Sequence, residues 1–228
     1  HNYRATINAE FEGFPQYTTE GAKPTSHYIP RFRNVYRQET DFLRGYAAGF
    51  GAQPNRETNK EGFGAELSNQ LLSTKETGVW NVNSHMMGET IPKESNLVSL
   101  DQEKTDAWGI PLLNIDVDYD DNDEKMIQDF YEQFSEMYEK SGFVNIKIND
   151  NGRRPGNDIH EMGGVRMGKN PKTSLLNAWN QMHECKNVFV TDGACMTSTS
   201  TQNPSLTFMA ITARAANYAI RQMKKGLI

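Results

Sequence analysis

One amphipathic stretch near the centre of the chain constrains its fold most strongly. In residues 123–140, Met126, Phe130, Phe134 and Met137 recur at the spacing of a helix with one apolar side. A helix of this kind owes most of its stability to burying that side against another layer of structure. The pattern therefore predicts a helix over 123–140 that packs on a sheet.

The same helix carries signals at both ends. Asp121 followed by Glu124 resembles a capping box, in which side chains bind the free backbone amides of the first turn. Ser141-Gly142 is typical of a helix end, because glycine readily adopts the left-handed conformation found there. These two signals predict where the helix begins and where it ends.

The segments around this helix alternate between apolar and polar residues, as strands with one buried face do. Residues 3–11 alternate most clearly, and further strands are predicted at 26–35, 65–72, 80–90, 97–100, 112–119 and 144–148. Glycine-containing segments at 45–51 and 55–64 are predicted to be loops. Since one polar face is typical of an antiparallel sheet, we predict an α+β fold, a mostly antiparallel sheet backed by helices.

Composition excludes several classes of partner. The chain has 228 residues, a net charge of -5 and no basic block longer than Lys224-Lys225, which argues against nucleic acid and anionic membrane surfaces. No apolar stretch approaches the length of a membrane span. We expect a soluble protein, and cytoplasmic and periplasmic locations are both open. Cys185 and Cys195 lack the spacing of a metal site and are predicted to be buried thiols.

The first residues of the chain bear on whether it is part of a longer polypeptide. The sequence begins at His1, without a methionine or a signal segment, and enters a predicted strand almost at once. Because a chain seldom starts in a strand, we expect this sequence to be the C-terminal piece of a longer polypeptide.

A turn-rich segment at 151–158 leads directly to His160, and loops on a rigid scaffold often carry functional groups. His160-Glu161 also begins a zinc-binding pattern, but Gly164 stands where that pattern needs its second histidine. We therefore predict no metal site here. Gly163 and Gly164 indicate instead a backbone that turns tightly or lies close to another group.

Two further motifs follow. Residues 187–191 are predicted to form a short strand that ends at Asp192-Gly193, and an acid in that position suits a ribose or ribityl hydroxyl. Asn203-Pro204 predicts a helix start with Asn203 as its cap. The alanine-rich helix over 206–224 is expected to be closely packed on most sides, and its positive N-terminal end would stabilise a nearby anion.

In this order and spacing, the motifs at 160–168, 187–193 and 203–207 resemble the C-terminal signature of the glucose-methanol-choline (GMC) family of FAD-dependent oxidoreductases. The resemblance is nearest to the bacterial sugar and polyol dehydrogenases of that family. It implies that an alcohol or sugar CH–OH group is oxidised by hydride transfer to FAD. It also implies that His160 is the catalytic base and that Asn203 binds the same substrate oxygen.

The resemblance further implies how the chain is divided and which residues contact the cofactor. Residues 1–159 correspond to a substrate-binding domain, and 160–228 to the active-site loop with the C-terminal strand and helix of an α/β FAD-binding domain. The positions that match flavin contacts in the family are Asp192, Gly193, Pro204 and Ser205.

One departure from the family pattern leaves an alternative open. The glycine-rich dinucleotide-binding turn of the family is absent from these 228 residues. We therefore expect the fragment alone to be inactive and to need the N-terminal FAD-binding part of the same polypeptide as its partner. The alternative is a non-catalytic carbohydrate-binding or subunit-interface module, for which Trp80, Trp108 and Trp179 offer stacking surfaces.

Overall fold

The computed structural model describes residues 1–12, 27–54, 62–73, 79–152, 155–156 and 159–228. Its strands are β1 (Ala5–Glu12), β2 (His27–Ile29), β3 (Tyr46–Pro54), β4 (Val79–Gly88), β5 (Leu97–Thr105), β6 (Pro111–Asp116) and β7 (Val144–Asp150). Its α-helices are α1 (Gly64–Ser73), α2 (Asp121–Lys140) and α3 (Ser205–Met223). Five strands form one antiparallel sheet in the order β2-β3-β4-β1-β7, and β5 pairs with β6 in a separate hairpin. The predicted α+β class with a mostly antiparallel sheet is confirmed.

The main core lies between this sheet and α2. Along β1, Ala5, Ile7 and Ala9 are buried while Asn8 is exposed, so the predicted alternation is confirmed. The apolar side of α2 lies on the buried face of the sheet, and the ring of Phe130 packs on other aromatic rings there. The largest buried side chains of the core are Ile7, Phe42, Tyr46, Met86, Met126, Ile127, Phe130, Phe134 and Tyr138.

The start of α2 lies slightly earlier than the sequence predicts. Asp120, not Asp121, is the cap, and its carboxylate accepts hydrogen bonds from the amides of Asn122 and Asp123. Asp123, not Glu124, completes the capping box, since its Oδ2 accepts from the Asp120 amide at 3.3 Å. Burial raises the pKa of the Asp123 carboxyl. The predicted end is confirmed, because the helix stops at Lys140 and Gly142 has a positive φ.

We expect Asp120→Ala to lower the free energy of unfolding by about 1 kcal/mol, because two amides of the first turn lose their acceptor. Urea denaturation would measure the change. Asp121→Ala is the matched control, since it removes an acid from the same turn but no capping bond. Equal losses in the two variants would assign the effect to charge near the helix terminus and not to the cap.

Three segments differ from their predicted structure. Residues 65–72 lie in α1 and not in a strand, because Ala65, Glu66 and Leu67 are strong helix formers. Residues 45–51 are mostly strand and not loop: a Cβ on Gly49 would lie 2.1 Å from an imidazole atom of His85, so the glycine permits close packing between β3 and β4. Only three residues of 26–35 form a strand, and Ser26 lies outside the described residues.

The remaining predicted strands hold with shifted ends. Residues 80–90 correspond to β4 and 144–148 to β7. Residues 97–100 and 112–119 correspond to β5 and β6, which pair as a hairpin. Of the predicted loop at 55–64, residues 55–61 lie outside the described part of the chain.

The C-terminal segment differs from its prediction in two ways. Residues 187–191 form only an isolated bridge at Phe189, because the side chain and backbone of Asn180 bond the backbone of Val190 in place of a neighbouring strand. Helix α3 forms as predicted but is not closely packed: Leu206 and Met209 are 78% and 68% exposed, and Ala215 is the helix's one fully buried residue. Of the two free cysteines, Cys195 is buried as predicted and Cys185 is exposed.

Candidate active site

The candidate site is centred on His160, which follows the turn-rich loop directly. Arg153, Arg154, Asn157 and Asp158 of that loop lie outside the described residues. His160 is partly buried and has φ +67°, in the left-handed region that residues other than glycine adopt at an energetic cost. The surrounding structure must therefore hold this backbone in place.

Backbone hydrogen bonds join the segment after His160 to the turn at 192–195. The amides of Gly163, Val165 and Met167 donate in succession to the carbonyls of residues 193, 194 and 195, at 3.3, 3.1 and 3.0 Å. The approach is close at Gly193, where a Cβ would lie 2.6 Å from the carbonyl oxygen of Glu161. Two motifs that are separate in the sequence therefore form one backbone unit.

The turn itself is a short 3-10 helix over Gly193–Cys195, with Asp192 as its cap. Asp192 Oδ1 accepts from the amide of Ala194 at 3.0 Å, and its side chain is exposed. A carboxylate held at a turn in this way is a suitable acceptor for a ligand hydroxyl.

Asn203 brings the third motif to the same place. Its Nδ2 lies 3.4 Å from Nε2 of His160. The prediction that Asn203 caps α3 is wrong: Pro204 occupies the cap position without any side-chain hydrogen bond, and the amide of Asn203 faces the imidazole instead. Pro204 is buried, and Ser205 is exposed at the first position of α3.

Two residues that the sequence analysis does not single out complete the surroundings of His160. The Tyr3 hydroxyl lies 3.2 Å from His160 Nδ1, and His1 Nδ1 lies 3.0 Å from the same atom. The Tyr3 hydroxyl also lies 3.1 Å from His1 Nδ1, and His1 Nε2 lies 2.6 Å from the carbonyl oxygen of Ser200. No local pattern predicts these contacts, because they join the first three residues to His160 and Ser200, which are far away in the sequence.

An open cavity of about 470 Å³ lies beside these groups. His160, Asp192 and Gly193 line it, whereas Asn203, Pro204 and Ser205 do not and are linked to it through the contact between Asn203 and His160. The cavity wall also contains the buried carboxylate of Glu89, which accepts from the Ser198 hydroxyl. Glu89 cannot be identified from the sequence alone, since a carboxylate after a strand has no distinctive pattern.

The residues around the cavity fit one part of an FAD molecule. The Asp192 carboxylate and the hydroxyl groups of Thr197 and Thr199 suit the hydroxylated ribityl chain, and glycines at 163 and 164 leave room for it. The cavity would therefore provide polar partners for the ribityl chain. No glycine-rich phosphate-binding turn is present among the 228 residues.

Among the described residues, no group of three or more His, Cys, Asp or Glu side chains is arranged to hold a metal ion. None of the described helices is long and apolar enough to cross a membrane.

One protein family and several curated proteins match this chain. Residues 92–212 match the family described as GMC oxidoreductase. The 2-methyl-1,2-propanediol dehydrogenase of Mycolicibacterium austroafricanum is 32% identical over 80% of this chain and 35% of its own length. The fructose dehydrogenase large subunit of Gluconobacter japonicus is 26% identical over 83% of this chain and 35% of its own length. The chain thus spans about a third of the length of these relatives.

Among solved structures, pyridoxine 4-oxidase from Mesorbium loti aligns with 98% of this chain and 43% of its own. The TM-score is 0.44 and the sequence identity is 13%.

Proposed function

This chain belongs to the GMC oxidoreductase family, and from that membership we propose that it is the C-terminal part of an FAD-dependent alcohol or sugar oxidoreductase. One observation carries the proposal. His160 and Asn203 stand 43 residues apart in the sequence, yet Asn203 Nδ2 lies 3.4 Å from His160 Nε2, beside a cavity that Asp192 and Gly193 also line. An acid-base group, a neutral amide and a polar cavity are suited to binding an alcohol and accepting its hydroxyl proton.

In the proposed mechanism the substrate hydroxyl binds beside the contact between His160 and Asn203, within reach of both side chains. Asn203 donates a hydrogen bond from Nδ2 to the substrate oxygen and orients it. His160 Nε2 accepts the hydroxyl proton as general base. Bound FAD supplies the acceptor for the hydride that leaves the substrate carbon. Asp192, Gly193, Pro204 and Ser205 would hold the flavin beside this pair.

The division of the chain is part of the same proposal. Residues 1–159 form the substrate-binding domain, and 160–228 add the active-site loop and the C-terminal part of the FAD-binding domain. The part of each relative that matches this chain is 35% of its own length, which supports an N-terminal FAD-binding part in the same polypeptide. The exposed Leu206 and Met209 on α3 are suited to being covered by that part, and without it we expect the chain to be inactive.

The substrate we propose is a polyhydroxylated alcohol. The names of both relatives refer to compounds with neighbouring hydroxyl groups, a diol and a sugar. A second hydroxyl gives the enzyme an additional hydrogen-bonding point with which to orient the reacting carbon.

The proposal is tested by anaerobic mixing of the full-length protein with polyols while the flavin absorbance is recorded. We expect a yellow protein whose absorbance is bleached by a polyol but not by the analogue in which the reacting hydroxyl is a methyl ether. Colourless protein that still binds sugar would contradict the enzyme and support a carbohydrate-binding module.

A further inference from the structure

A continuous set of polar contacts runs from a backbone carbonyl to the imidazole of His160. Ser200 O lies 2.6 Å from His1 Nε2, and His1 Nδ1 lies 3.1 Å from the Tyr3 hydroxyl and 3.0 Å from His160 Nδ1. The Tyr3 hydroxyl is itself 3.2 Å from His160 Nδ1. These three side chains and one carbonyl therefore determine where the imidazole protons can lie.

The carbonyl fixes the first proton. A carbonyl oxygen only accepts hydrogen bonds, so His1 Nε2 must carry a hydrogen and donate it to Ser200 O. His1 is 9% exposed, and burial of this kind favours an uncharged ring. In a neutral imidazole one nitrogen donates and the other accepts, so His1 Nδ1 is an acceptor.

The second proton follows from the first. His1 Nδ1 and His160 Nδ1 are 3.0 Å apart, and two bare nitrogens would direct their lone pairs at each other. His160 must therefore carry its hydrogen on Nδ1, where the Tyr3 oxygen and His1 Nδ1 are the acceptors. The Tyr3 hydroxyl in turn donates to His1 Nδ1. A neutral His160 then has no hydrogen on Nε2.

The other side of the ring leads independently to the same tautomer. Asn203 Nδ2 is a donor and faces His160 Nε2, which must then be the acceptor. In this set of contacts each donated hydrogen meets an acceptor. The hydrogen bonds run in one direction, from Asn203 through His160 and His1 to the carbonyl of Ser200.

Backbone conformation supports this arrangement at both of its ends. His160 has φ +67° and Ser200 has φ +63°, although neither is glycine. Strained conformations of this kind persist only where the surrounding contacts hold them, and they are common at functional sites.

We propose that Tyr3 and His1 are positioning residues that fix His160 in the tautomer with a bare Nε2, the form that can accept a proton from an alcohol. The role rests on the proposed function, because it matters only if His160 is the base. Tyr3 does not line the cavity, and His1 contributes to its wall. They act through the imidazole, as the carboxylate of a catalytic triad does when it holds a histidine in the required tautomer.

The test uses the full-length flavoprotein with Tyr3→Phe, His1→Phe and the double variant. We expect Tyr3→Phe to lower the limiting rate of flavin reduction about tenfold while KM changes little, because one neutral hydrogen bond is lost and no substrate contact. The fold reduction in rate of the double variant should be smaller than the product of the two single reductions. It should be close to that of the slower single variant, since the residues act as one unit. Tyr131→Phe is the matched control, because its buried hydroxyl has no hydrogen-bond partner in the described residues.

A second measurement is independent of turnover. Nitrogen-15 NMR of labelled histidine reports whether His160 Nε2 is bare or protonated, and we expect it bare in the parent protein and partly protonated in Tyr3→Phe. A protonated Nε2 in the parent, or an unchanged tautomer and rate in both single variants, would overturn the positioning role. If the parent flavin is not reduced by any polyol, the proposed function fails, and the NMR result still decides the tautomer.

Discussion

His160→Ala in the full-length flavoprotein should slow flavin reduction by substrate at least about a hundredfold. General-base assistance contributes roughly 10²- to 10⁴-fold, and alanine has no group that can accept the hydroxyl proton. Asn203 still offers its amide in the variant, so substrate binding should change much less than the rate. Stopped-flow absorbance under anaerobic conditions measures both quantities in one concentration series.

His183→Ala is the matched control for this variant. It removes the same side chain from a position where the imidazole contacts the Ser174 hydroxyl and does not line the cavity. We expect its reduction rate to stay close to that of the parent. A His160→Ala protein that retains its flavin and is reduced at the parent rate would remove His160 from the chemistry.

Phe130→Ala should lower the free energy of unfolding by about 3 to 5 kcal/mol. Phe130 is 0% exposed and lies at the centre of the core, with its ring centroid 4.4 Å from that of Phe134 and 5.7 Å from that of Tyr46. Alanine would forfeit the burial of the ring and leave a cavity between α2 and the sheet. Urea denaturation followed by circular dichroism measures the difference.

Phe63→Ala provides the comparison, because Phe63 is 91% exposed and the chemical change is identical. We expect it to shift the free energy of unfolding by less than about 0.5 kcal/mol. Similar losses from the two phenylalanines would mean that Phe130 is not part of the core that positions the sheet.

Local sequence chemistry accounts for much of the fold. The apolar stripe of α2 and the alternation along β1 are visible in the sequence because each repeats with the period of its element. Residues 65–72 are misleading, since a short apolar run fits a strand as well as a helix. Gly49 is misleading for another reason. It fits β3 because the imidazole of His85 on the neighbouring strand occupies the place of a Cβ.

The candidate site was predictable only in part. The resemblance to the family singles out His160 and Asn203, and the structure brings them within 3.4 Å. Tyr3 and His1 lie 157 and 159 residues from His160 along the chain, so their contacts depend on how the start of β1 meets the active-site loop. That information belongs to the packing of the whole chain and not to any segment of it.

The backbone unit formed by 160–168 and 192–195 has a consequence for engineering. The amides of Gly163 and Val165 are bonded to the carbonyls of Gly193 and Ala194, which line the cavity, so a substitution in either loop is expected to disturb both. The outward face of the sheet carries no such restriction at Asn8 and Asn83, which are exposed and bonded to each other. Substitutions at these two asparagines are therefore expected to leave the two loops undisturbed, and the loops are best kept unchanged as a pair.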